Sequence, residues 1–555
     1  MSVDNKNLYA RDQALRLTGR ADNLLPVTVT YHSHGRLLLI GPEDRVRRAA
    51  VRALTHPALR LTLAVSEQPR HPDASDLDAV FGATAHLETL LARSPKLHGY
   101  LGQYGLTVRG PEGEAVALER VCYGPEGRFD LVLDLGQTAL LALERPPFGY
   151  RHLSEDDELD CAIAALAELM GVFDKPRYFK LDNEACAFTA RGVPGCRRCL
   201  DLCPTDALRA DQGEIRIDPF LCQGLGSCAS ACPTGAISYQ QPSAATQEDY
   251  LWRLLARYRE AGGSHPHLLI AGEAECAAFD AEALPGHWLL LPVEESASVG
   301  IESWLGALAA GASRVSIALH PECGATTRQA LERELALAAP LLEGAGVAQE
   351  AISVWQPGTA LPETLAERLV ALPETPKGSK RERLFAAFDA LHAAHGGATA
   401  ALAVPAGAPY GAVRLNNEQG CTLCMGCVAV CPTRALHASQ GGAVPELRFT
   451  EQDCVQCGMC EQACPERVIT LAPGLQPVAE ARRADRLLKA EEAACCIRCG
   501  KPFAPASLVR RIREKLVGHS HFQGAAAERL LMCEDCRVRD VFEPLVANPL
   551  DQVKV

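Results

Sequence analysis

The chain has 555 residues, 48% hydrophobic and 22% charged, with a formal net charge of −13. These are globular proportions, and the length calls for about three or four domains. The acidic balance speaks against nucleic acid as a partner, because binding phosphates needs Lys and Arg.

Acidic surface does suit docking on basic patches of redox proteins. No apolar run reaches the roughly 18 residues of a bilayer span, so no integral membrane segment is expected. Residues 1–20 mix Asp4, Lys6, Arg11, Asp12 and Arg16 and hold no apolar signal-peptide core. A cytoplasmic location is therefore expected. The 24 cysteines fall in tight groups. In a reducing compartment, grouped thiols read as metal ligands rather than disulfides.

Residues 1–180 read as an N-terminal α/β domain. RLLLIG (36–41) and FDLVLDL (129–135) predict buried strands, and DRVRRAAVRALTHP predicts an amphipathic helix between turn signals. ELDCAIAALAELMGVF (158–173) predicts a helix. Cys122 and Cys161, in apolar surroundings, read as core thiols. Residues 181–245 hold the first cysteine group and end in a polar boundary, QPSAATQED (241–249). Residues 246–375 alternate helix and strand patterns, from YLWRLLARYREAG and HLLIAG to RVSIALH and AISVWQP. That alternation predicts a parallel sheet with covering helices. PETPKGSKRE (373–382) reads as a linker. Residues 376–475 hold the second cysteine group, and 476–555 form a tail with the last five cysteines. The expected fold class is multidomain α+β: two cluster-binding modules, a parallel α/β domain between them, an N-terminal α/β domain and a small C-terminal region.

The two cysteine groups are an internal repeat. CRRCLDLCPTDAL (196–208) matches CMGCVAVCPTRAL (424–436), and CQGLGSCASACPTGAI (222–237) matches CVQCGMCEQACPERVI (454–469). The second copy is complete. Cys421, Cys424, Cys427 and Cys431 form C-x2-C-x2-C-x3-C-P, and Cys454, Cys457, Cys460 and Cys464 repeat it. Three thiolates at every third position wrap a loop around one cubane, and the fourth, before a proline, reaches the other cubane. One cluster should take Cys421, Cys424, Cys427 and Cys464; the other should take Cys454, Cys457, Cys460 and Cys431. Thiolates are the soft donors that iron–sulfur cores favour. Residues 415–473 thus resemble the bacterial ferredoxins with two [4Fe-4S] clusters.

The first copy departs at two positions. Val193 stands where Cys421 does, and Leu225 where Cys457 does. Cys186, seven residues upstream of Val193, can return over a longer loop to complete a set with Cys196, Cys199 and Cys232; a structural thiol is the alternative. The remaining Cys203, Cys222 and Cys228 suit a [3Fe-4S] cluster, or a [4Fe-4S] cluster with a non-protein ligand. One cluster in this copy rather than two is also open. Gly224, Gly226 and Ala229 fit G-x-G-x-x-A, but they lie in a cysteine loop rather than between a strand and a helix, so the fit does not predict a nucleotide site.

In the tail, Cys496 and Cys499 form one CxxC knuckle and Cys533 and Cys536 another. Two such knuckles make a tetrahedral S4 site and resemble zinc ribbons. Zn2+ is expected, with rubredoxin-like iron as the alternative, and Cys495 reads as a spectator. Residues 265–356 resemble the δ-type subunit of hydrogenases, through GALAAGASRV and the turn His320-Pro-Glu-Cys323. Only Cys276 and Cys323 remain of that family's ligand set, which favours a partner-docking domain. Most of the chain also resembles ferredoxin-domain proteins encoded with formate dehydrogenases, through DLVLDLGQTALLALERPPFGY (130–150), KPRYF (175–179), GCRRCLDLCP (195–204) and CIRCGKPF (496–503).

These readings imply an electron-transfer protein or redox-complex subunit with several clusters. Its partner would be a redox protein, with a formate dehydrogenase or hydrogenase-type complex as the candidate. No catalytic residue is expected. The alternatives are an assembly protein for a metalloenzyme, or an oxidoreductase using an open-site cluster with His320 and Cys323.

Overall fold

The computed structural model describes residues 3–19, 25–67, 77–188, 192–240, 242–439 and 444–547. Near the N-terminus, five parallel strands form a sheet in the order Thr89–Leu91, Arg60–Glu67, Arg36–Pro42, Leu131–Asp134, Tyr150–His152. The central strands are dry because their residues, Leu37 to Ile40 and Leu131 to Leu133, are apolar on both faces. Helix Leu159–Glu168 covers one face through Leu159, Ala162, Ile163 and Leu166. Cys161 falls between these positions and is exposed, not a core thiol. Cys122 is half-buried. The expected helix over 158–173 stops at Glu168, and Gly171–Pro176 instead pairs as a strand with Thr28–Ser33. Gly171, at φ 126°, is incompatible with a continuing helix.

A second parallel sheet has the order Trp288–Pro292, His267–Ala271, Arg314–Ala318, Ile352–Trp355. Its largest core joins helices Ala244–Glu260, Ile301–Ala309, Ala325–Gly344 and Lys380–His395. Ser243, within the expected boundary, caps the first of these by accepting from the Thr246 N–H at 3.2 Å. Gln241 lies outside the described residues. The stretch expected as a linker ends in structure: Ser379 and Glu382 form a capping box, and Leu384, Phe385, Phe388 and Leu391 enter this core. The first helix, Val3–Leu17, also docks here rather than on the nearer sheet. Its Ala10 and Ala14 join the core, and Arg11 donates to Leu284 O at 2.9 Å.

Between and after these units stand two small modules of one design. In the first, Phe179–Leu181 pairs antiparallel with Ile237–Tyr239 and encloses the hairpin Leu208–Asp211/Glu214–Ile217. In the second, Gly411–Leu415 pairs with Ile469–Pro473 and encloses Leu436–Ala438/Glu446–Thr450, to which Asp485–Ala490 adds a third strand. The tail carries a short hairpin, Ala493–Cys495/Pro502–Pro505, and helices Ala506–Leu516, Ala525–Arg529 and Glu534–Ala547. No helix among the described residues is long and apolar enough to cross a membrane.

Candidate metal centres

Three of the four cysteine loops share one backbone path. Gly224, Leu423 and Gln456, each two residues after the first cysteine of its loop, all have positive φ (82°, 49° and 52°). Gly226, Met425 and Gly458, two residues further on, do the same and cap a single-turn helix. Two left-handed residues within seven curl the loop so that thiols three apart face one centre. The fourth residue of every Cys-Pro turn, Asp206, Gly235, Arg434 and Arg467, is also left-handed, at φ 52–74°. That reversal turns the chain after the last thiol into the next strand.

In the second module the curls create two hollows. Cys421, Cys424, Cys427 and Cys464 line one of about 340 Å³, together with Leu423, Val468 and Ile469. Cys431, Cys454, Cys457 and Cys460 line the other, of about 320 Å³, with Phe449 and Leu471. Three neighbouring cysteines and one from the opposite loop thus meet at each. Burial, with Cys424 and Cys421 adding to it, pushes the Cys427 thiol up to about 12. Burial likewise takes Cys457 up to about 11, with Cys431 and Cys454 adding to it. Thiols crowded in this way ionise only beside cations, which iron ions would supply.

In the first module, Cys203, Cys222 and Cys228 line a hollow of about 370 Å³, and Leu225 lines it too. Leu225 cannot ligate iron. Loops from elsewhere close over this hollow. Arg145 N–H donates to Pro204 O at 3.4 Å, Gln223 Nε2 to Pro146 O at 2.8 Å, and Ser298 abuts Gly226. Cys186, Cys196, Cys199 and Cys232 come together as a second group. Burial takes the Cys199 thiol up to about 12, and Cys232, Cys196 and Cys186 add to it in that order. Three of the four Cys-Pro turns place a threonine hydroxyl near the cysteine sulfur: Thr205 at 3.4 Å, Thr234 at 3.6 Å and Thr433 at 3.9 Å.

The tail cysteines Cys496, Cys499, Cys533 and Cys536 place their Sγ atoms within 4.8 Å of one another. Burial opposes ionisation of Cys496, but the N–H groups of Cys533, Cys499 and Arg498 bring its thiol down to about 6. Among the described residues, Met532 and Phe503 pack with them as a small core. Cys495 is exposed and stands outside this group. In the second sheet, Glu275 occupies the crevice beyond the strand ends. Its carboxylate accepts from His320 N–H at 3.1 Å, Gly272 N–H at 3.1 Å and Ser296 Oγ at 3.2 Å. Among the described residues no metal-holding group of three or more ligands includes His320, Cys276 or Cys323.

Spacing in the sequence carried no sign of the basic residues between these units. Arg381 donates to Cys454 O at 2.6 Å, Pro409 O at 3.0 Å and Gln452 O. Lys380 donates to Ala229 O at 2.7 Å and Ser230 O at 2.6 Å. Arg198 joins Ala231 O at 3.0 Å, Gly407 O at 2.7 Å and Glu334 at 2.9 Å.

Comparison with known proteins agrees with this geometry. Residues 193–236 and 420–468 each match the 4Fe-4S dicluster domain family. The "Putative electron transport protein YsaA" of Escherichia coli is 28% identical over 115 residues, 20% of this chain and 66% of that protein. "Ferredoxin 7Fe" of Hydrogenibacillus schlegelii is 33% identical over 42 residues, 8% of this chain and 54% of that protein. Indolepyruvate oxidoreductase subunit IorA of Pyrococcus horikoshii is 30% identical over 78 residues, 14% of this chain and 11% of that subunit. The chain therefore spans at most 66% of the length of these relatives. With the thiols gathered as described, the two matched segments fit the binding of iron–sulfur clusters.

Proposed function

We propose that this chain is a multi-cluster electron relay within a redox complex, holding four iron–sulfur centres and a structural metal. The observation that carries the proposal is the gathering of thiols into separate hollows, each fed by both loops of its module. An iron–sulfur cluster, when bound, accepts and releases one electron, at a potential set by charge, hydrogen bonds and exposure. The chain's residues do the rest. Cysteine thiolates hold the iron, the left-handed loop residues turn the backbone around it, and apolar side chains exclude water.

Cys421, Cys424, Cys427 and Cys464 would hold one [4Fe-4S] centre, and Cys431, Cys454, Cys457 and Cys460 the next. Cys186, Cys196, Cys199 and Cys232 would hold a third. Cys203, Cys222 and Cys228 would hold a [3Fe-4S] centre, because Leu225 occupies the position a fourth thiolate would take. The covering loops at Arg145, Gln223 and Ser298 favour electron transfer there over an open catalytic iron. Zn2+ suits the tail site: a fixed S4 set in a region with little core of its own gains folding energy from a closed site. For the partner we infer a redox enzyme of the formate dehydrogenase or hydrogenase type, from the segments at 130–150, 175–179 and 496–503 and from the second α/β unit.

Iron and zinc counted per chain on anaerobically purified protein test the reading. About 15 Fe and one Zn are expected from these ligand sets. About 8 Fe would leave the first module empty and overturn the relay.

A further inference from the structure

Two modules that did not touch would need separate electron donors. These two meet between their cysteine loops. Met459, between Cys457 and Cys460, is fully buried. Its side chain lies on the backbone of Gly195, next to Cys196: a Cβ on Gly195 would stand 2.8 Å from Met459 Cγ and 2.9 Å from Sδ. No water fits between them. Beside this contact Gln462 Nε2 donates to Pro194 O at 3.0 Å.

Three basic side chains hold the junction. Lys380 and Arg381 are adjacent at the start of one helix, yet Lys380 bonds the first module at Ala229 and Ser230 while Arg381 bonds the second at Cys454 and Gln452. Arg198, between Cys196 and Cys199, reaches Gly407 on the approach to the second module. Cys232 and all three basic residues line one hollow of about 360 Å³ with Glu302 and Glu334. Both carboxylates are spent on this clamp, Glu334 with Arg198 at 2.9 Å and Glu302 with Lys380 at 3.5 Å.

We infer that the contact of Met459 with Gly195 is the electron bridge between the modules, so that the four thiol sets form one path. The inference rests on the relay proposed above. The order along the path is the Cys203, Cys222, Cys228 set; then the set with Cys196; then the set with Cys457; then the set with Cys424. One electron crosses the junction, oxidising the centre on one side and reducing the centre on the other, with no bond made or broken. Met459 and Gly195 act as positioning residues that keep the gap closed and dry. The ends of the path lie apart. One is beneath the loops at Arg145 and Ser298, and the other is beside Glu466, which pairs with Arg511 of the tail at 3.0 Å.

Full-length protein, purified anaerobically with its iron counted, is reduced stepwise and followed by electron paramagnetic resonance. The signal of the centre held by Cys196 should broaden when its neighbour across the junction becomes paramagnetic. The double variant Cys454→Ala/Cys460→Ala, which leaves that neighbour only two thiols, should abolish this broadening, and Cys421→Ala/Cys424→Ala, which does the same to the far centre, should leave it. A wild-type signal that stays sharp throughout overturns the bridge, as does this broadening surviving in Cys454→Ala/Cys460→Ala. The wild-type titration decides alone if a variant does not fold. Met459→Ala should slow electron equilibration between modules severalfold at unchanged iron content and potentials, and Met459→Leu should restore it; an unchanged rate in Met459→Ala counts against the bridge. Iron missing from the first module would instead sink the relay itself, which the count reveals separately.

Discussion

Replacing Leu225 with cysteine should convert a three-iron centre into a four-iron one. The loop Cys222–Cys228 has the same left-handed residues at the same places as the loops Cys421–Cys427 and Cys454–Cys460. Position 225 therefore stands where Cys424 and Cys457 stand, and its side chain already lines the hollow. Leu225→Cys restores C-x2-C-x2-C without moving the backbone. Thiolates at the hollow rise from three to four, and iron should rise from about 15 to about 16 per chain. The apo protein loses part of a half-buried leucine, at a cost of about 1–2 kcal/mol, which metal ligation offsets in the loaded protein. The assay is iron content beside electron paramagnetic resonance of the oxidised protein, where a three-iron cluster has a signal and a four-iron cluster does not. Wild type should show that signal and Leu225→Cys should lose it. No such signal in wild type, or a variant with the same signal and the same iron, would refute the reasoning.

Two further substitutions probe the supports around the sites. Arg381 is buried and supplies donors to three carbonyls, with its guanidinium 5.0 Å from the Phe385 ring centroid. Arg381→Met should lower the stability of the second module by about 3–5 kcal/mol, since it strands buried acceptors. Denaturant titration followed by cluster absorbance measures this, and a loss under about 1 kcal/mol would contradict it. Glu295 is raised from 4.5 to about 7 by burial, with Glu275, Glu294 and Glu273 adding and Arg145 opposing. A raised carboxyl favours the folded state fully below the unfolded value near 4.5, and that contribution is lost as pH rises through about 7. For this partly solvated group the loss is about 1–2 kcal/mol. Between pH 5 and pH 8 the melting temperature of wild type should therefore fall relative to Glu295→Gln, and parallel pH profiles would remove the effect.

Much of the architecture was legible because its signals are local. Apolar runs such as RLLLIG, HLLIAG and RVSIALH separated by amphipathic stretches mark parallel strands and covering helices, and the structure has them. The helix expected over 158–173 ends early because Val172 and Phe173 are apolar enough to continue either pattern, and pairing with His32 and Tyr31 makes them strand. Cys161 was read as core because its neighbours are apolar, yet the helix turns it outward. The stretch 373–382 reads as loop by composition, while the last three of its residues open a helix whose apolar face has its partner about 80 residues earlier.

The sequence alone determined the two modules and the positions where the first departs from the second, since ligand spacing and loop curl are set within a dozen residues. Tertiary structure decided how those modules stand to one another. Gly195 meets Met459, Arg381 meets Cys454 and helix Val3–Leu17 meets the second sheet across separations of 73 to more than 250 residues. Such contacts leave no periodic trace in the chain, because they arise when separately folded surfaces exclude water together and each buried donor finds whichever carbonyl the packing brings to it.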